Sequence, residues 1–180
     1  MGTTTNFGFD YPDSTGHTRL WEHFQTLAAD IDTLLGYLVG LPAPVSAASN
    51  GTATSGTTET RDTVLGNYTF TVPTVGASWR YQAMALAVGV NASVTNDVYR
   101  INIRDGGAST PTSSSTLVAS IQTSAISVAA QSHCVLGTWV PGAGTHTLGV
   151  FLVRIAGTGI GTPVAQGANR ELLARFVGTV

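Results

Sequence analysis

What this chain lacks narrows its reading first. None of its 180 residues is lysine, its eight basic residues are all arginine, and charged residues make up only 10%. The net charge is −2 and no basic stretch occurs, which argues against nucleic acid and anionic membrane as partners. No apolar run approaches the length of a membrane span. The opening MGTTTNFGF has neither the charged n-region nor the apolar h-region of a signal peptide, so none is expected. The single cysteine, Cys134, cannot close an intrachain disulfide. In the strand-like run HCVLGTW it is expected to act as a small buried hydrophobe.

Catalytic and metal-binding signatures are as scarce. His17 and His23 flank the start of a helical stretch while His133 and His146 lie in separate strand-like runs, and no pair has metal-ligand spacing. Glu59, Asp62, Asp97 and Asp105 could meet around calcium at the edge of a β-structure, but nothing resembles a calcium loop. The run GTGIG at 157–161 has the look of a phosphate-holding glycine loop. Such a loop needs a helix next, and Thr162-Pro163 follows instead, so it reads as a connection between strands. No Gly-x-Ser-x-Gly elbow or Cys/His constellation occurs. The expectation is a protein with no catalysis, no cofactor and no metal.

What is there begins with TRLWEHFQTLAADIDTLLGYLVGL, Thr18 to Leu41. Leu20, Phe24, Leu27, Ile31, Leu34, Leu38 and Leu41 follow one another at spacings of 4, 3, 4, 3, 4 and 3. That alternation is a heptad pattern, with Phe24, Ile31 and Leu38 at a and the leucines at d, the seam of a coiled coil. Arg19, Glu22, Gln25, Asp30 and Asp32 fall outside the seam and are expected to face water. The aromatic Phe24 and the flanks Trp21, Ala28 and Leu35 ask for a wider buried face than two strands offer, so a homotrimer is expected. Pro42-Ala43-Pro44 stops the helix.

The rest of the chain is punctuated differently. Phe7, Phe9 and Tyr11 alternate in a short extended arm, either covering the start of the bundle or anchoring the chain to another protein. Ser46 to Thr60 is polar, with almost nothing to bury, and reads as a linker. After it the period becomes that of strands: 68–72, 81–90, 97–104, 116–121, 125–129, 134–140, 145–155 and 172–177, with Asp105-Gly106-Gly107 and Pro141-Gly142 as turns. In Tyr81 to Val90, Met84, Leu86, Val88 and Val90 fall on one face, and Ala83, Ala85, Ala87 and Gly89 on the other. Short strands at regular spacing predict a mainly β fold, an antiparallel jelly-roll-like sandwich. The domains are then an arm at 1–17, a coiled-coil helix at 18–41, a linker at 42–60 and a β-sandwich head at 61–180. Trp79 and Trp139 could stack on a host-surface glycan, although their strand contexts favour burial in the core.

The block FGFDYPDSTGHTRLWEHFQTLAADIDTLL resembles the N-terminal block of minor tail or fibre-like virion proteins from tailed phages of actinobacteria. The residues carrying the likeness are Tyr11-Pro12, His17 to His23 and Ala28 to Leu34, within the first quarter of the chain. The remainder is only generically similar to the β-sandwich heads of trimeric fibres of tumour-necrosis-factor or C1q type. The resemblance implies a virion structural protein, made in the host cytoplasm, whose partners are its own copies and other virion proteins. It leaves three readings open: a tail-associated spike, a capsid decoration, or a host-glycan-binding head.

Overall fold

A computed structural model describes residues 2–3, 10–11, 18–39, 41–74, 78–124, 131–165 and 169–180. The chain divides into two compact units, Met1–Leu41 and Pro42–Val180. In the first, β1 (Gly2–Thr3) pairs antiparallel with β2 (Asp10–Tyr11), Gly2 standing opposite Tyr11. The helix α1 (Thr18–Val39) follows. Its end just ahead of Pro42 matches the sequence, because a residue before proline is steered out of helical geometry.

In the second unit the described residues form ten strands. In chain order these are β3 (Val45–Ala47), β4 (Thr60–Arg61), β5 (Tyr68–Val72), β6 (Trp79–Ala92) and β7 (Val98–Asp105). Then come β8 (Thr116–Ser124), β9 (Gln131–Trp139), β10 (Gly144–Ala156), β11 (Gly161–Ala165) and β12 (Arg170–Thr179). They make two antiparallel sheets. In one, β10 has β4 and β5 on one side and β7 on the other, with β8 beyond β7. In the other, β6 has β9 on one side and β11 and β12 on the other, with β3 beyond β12. The strand-like run at 125–129 lies outside the described residues.

Period-2 alternation builds the core. Tyr99, Ile101 and Ile103 of β7 are fully buried, and Val150 and Leu152 of β10 stand directly opposite Ile103 and Ile101. Tyr68, Phe70 and Val72 of β5 point the same way and are buried. Phe70 lies 5.4 Å from Tyr81 of β6 and meets Trp139 of β9 edge-on at 6.1 Å, so the two sheets bury these faces against each other. Where β8 passes β9 the two strands come close. A Cβ at Gly137 would overlap Val118 O and Ala119, so this position needs glycine.

Four sequence expectations need correction. The simple alternation expected along Tyr81 to Val90 does not hold. Tyr81, Ala83 and Ala85 are buried, then a bulge opposite β9 shifts the register between Ala85 and Val88, and Val88, Val90 and Ala92 are buried beyond it. Ala87, at φ 52, is the extra residue; it turns Val88 and Val90 inward, while Met84 and Leu86 ahead of it face outward. The expected linker at 42–60 belongs to the head. β3 pairs with β12, Gly51 N donates to Pro163 O at 2.6 Å, Thr54 bridges Gly161, and β4 pairs with β10. Backbone hydrogen bonds hold this segment, so its few apolar side chains were no guide. Cys134 is exposed, because its neighbours Val135 and His133 take the inward register. Asp32, expected to face water, is buried at 3% exposure.

Candidate functional site

The helix separates into two stripes about a third of a turn apart, as 3.6 residues per turn requires. Gln25, Ala28, Leu35 and Gly36 are half-buried around the buried Asp32. Counting heptads cannot see this stripe, since it falls outside the a and d positions. The seam itself is open over its described middle: Phe24 is 50% exposed, Leu27 53% and Ile31 42%. Leu41 is half-buried; the side chains of Leu20, Leu34 and Leu38 lie outside the described residues. These three large apolar side chains share one exposed face of the helix. Full burial of each is worth about 1.5–3 kcal/mol. In the arm, Tyr11 belongs to β2, while Phe7 and Phe9 lie outside the described residues.

The four carboxylates considered as a calcium cluster are not brought together; each is held by its own donors. Glu59 forms a two-point pair with Arg104, Nε to Oε2 at 2.5 Å and Nη2 to Oε1 at 2.7 Å, and accepts from Asn102 Nδ2 at 2.6 Å. Asp62 is fully buried against the equally buried Arg170 and accepts from the backbone N–H of Thr52, Val64 and Leu65. Asp105 lies 2.7 Å from His146 Nδ1 and accepts from the Trp139 indole at 3.3 Å and the Gly107 N–H at 2.9 Å. Among the described residues no group of three or more His, Cys, Asp or Glu could hold a metal.

Asp97 explains the glycine-rich loop. The Thr158 N–H donates to its Oδ1 at 3.2 Å and the Gly159 N–H to its Oδ2 at 2.5 Å. The loop therefore does cradle an anion, a carboxylate of the chain itself. Gly157 sits at φ +100, and a Cβ on it would overlap Asp97; one on Gly161 would overlap the Tyr99 ring. Tyr99 donates its hydroxyl to Asp97 at 3.3 Å, and burial, reinforced by that carboxylate, pushes its phenol up to about 12. Gly157→Ala must strain both the backbone and the carboxylate. It is expected to cost about 2 kcal/mol or more in a urea melt, whereas an unchanged midpoint would show that the loop yields freely.

His133 faces inward from β9 and meets Thr123 Oγ1 of β8 at 2.9 Å. Burial lowers its pKa below the ordinary histidine value. Below that value the unfolded chain binds a proton that the folded chain resists, so stability is full above the histidine range and falls with pH through it. Unfolding free energy measured by urea should drop from pH 7.5 to 5.5, and His133→Gln should drop less. Equal drops in both proteins would remove His133 as the cause.

Trp79 is buried, with its ring edge-on to Phe176 at 5.2 Å. Trp139 is half-buried between Phe70 and Tyr81. Both rings pack against aromatic neighbours, Trp139 with part of its surface open. No protein-family model matches this sequence, and no curated protein is significantly similar to it.

Proposed function

We propose that this chain is a non-enzymatic structural protein of a phage particle, a short homotrimeric spike held to the virion through its N-terminal arm and helix. The observation that carries the reading is the open seam of Phe24, Leu27 and Ile31. A parallel three-helix coiled coil closes that seam, and the β-unit becomes a jelly-roll-like head carried on the stalk. The likeness of Tyr11-Pro12, His17 to His23 and Ala28 to Leu34 to phage tail proteins supports a tail-associated position. Deleting residues 1–14 is expected to leave a folded oligomer that no longer assembles onto particles. Normal incorporation of the truncated protein would place attachment elsewhere. Labelling the incorporated full-length protein separates tail from capsid, and capsid labelling would make it a head decoration.

A further inference from the structure

We propose that the outer face of the sheet built on β6 packs heads against one another around a three-fold axis, with β6 nearest the axis; this rests on the trimeric reading above. The register fixes what that face presents. Leu173 of β12, Met84 of β6 and Leu136 of β9 form one outward row across three strands. Leu86 lies in the next row, between Glu171 and the bulge opposite Cys134. Leu136 is 49% exposed, and Met84, Leu86 and Leu173 are half-buried, so a single chain leaves an apolar band in the middle of a sheet.

The occupant argued for is another copy of the same face. Its charges are confined: Glu171 and Arg175 lie on β12 and Arg80 at the start of β6, with Arg175 donating to Gln82 at 2.9 Å. The outward residues of β9, Ser132, Cys134, Leu136 and Thr138, carry no charge. A three-fold rotation lays the β12 column of one copy on the β9 column of the next. Leucine then meets leucine in the shared row, Arg175 meets Thr138, and like charges come together at the strand end alone, where the exposed Arg80 closes the β6 column. A two-fold arrangement is not needed, and Met84, in the middle column, is left to meet its own copies. The connection is also short: only residues 42–44 separate Leu41 from β3, which lies beside β12 in this sheet. Joining three helices tethers three copies of this sheet.

The test uses the full chain with Met84→Cys and Cys134→Ser. Under mild copper-phenanthroline oxidation, disulfide-linked pairs are expected on non-reducing gels, since a disulfide forms only where Cα atoms come within about 7 Å. Ser113→Cys in the same Cys134→Ser background, in an exposed loop leading into the other sheet, should stay unlinked. Leu136→Arg supplies a second reading that needs no new cysteine. It should lower the melting midpoint of the head by about 5 °C, whereas in an isolated chain this exposed position is close to neutral. A protein that is trimeric by mass, with Met84→Cys unlinked and Leu136→Arg melting unchanged, overturns the head contact and leaves the stalk intact. A protein that is monomeric by mass overturns both.

Discussion

Asp62→Ala should cost the head about 3–5 kcal/mol, read from the urea midpoint, or leave it unfolded. Both members of the Asp62–Arg170 pair are fully buried, where an unpaired charge is far more costly than in water. Without Asp62, the guanidinium keeps, among the described residues, one hydrogen bond, from Nη2 to Ser49 O at 2.8 Å, and its Nε has no partner there. The N–H groups of Thr52, Val64 and Leu65 lose their acceptor at the same time. Such a loss is a large share of the roughly 5–15 kcal/mol typical of a domain. Arg170→Met should be milder, because those three N–H groups still hold the carboxylate. The double variant should recover part of the loss, the sign of direct coupling between contacting residues. An Asp62→Ala protein within about 1 kcal/mol of the parent would show that water reaches the pair, contrary to its burial.

This pair also shows where sequence reading stops. β7 is plain in DVYRINIR because one of its faces is apolar and the other polar. β5 is plain for the same reason, and the helix for its seven-residue repeat. The segment from Ser46 to Thr60 carries no such signal. What fixes it is backbone pairing with β11 and β12 and a carboxylate that meets Arg170, 108 positions further along. Long-range partners of single polar residues leave no local period. The bulge at Ala87 is equally silent, since one added residue turns the alternation over without changing composition. GTGIG was legible as a connection between strands, yet nothing local named Asp97, 60 positions earlier, as the carboxylate its N–H groups hold. For the seam, spacing alone identified Phe24, Leu27 and Ile31, and the structure adds that a single chain leaves them open.

Ile31→Asp carries the second large effect. In an isolated chain Ile31 is 42% exposed, and a polar substitution at such a position ordinarily changes stability by no more than about 0.5 kcal/mol. In a closed three-helix seam the same change buries three carboxylates close together without partners, at a cost of several kcal/mol. Loss of helix signal by circular dichroism, together with a fall in mass, is therefore expected from a substitution that a lone helix would tolerate. Glu22→Ala, on the exposed side of the helix away from the seam, serves as the control and should leave both readouts unchanged.

Static light scattering on the purified full-length protein, at micromolar concentration, tests self-association through the helix most directly. A molar mass three times that of one chain is expected, falling to that of one chain on Ile31→Asp. A parent protein that elutes with the mass of a single chain contradicts the trimer, and with it the spike.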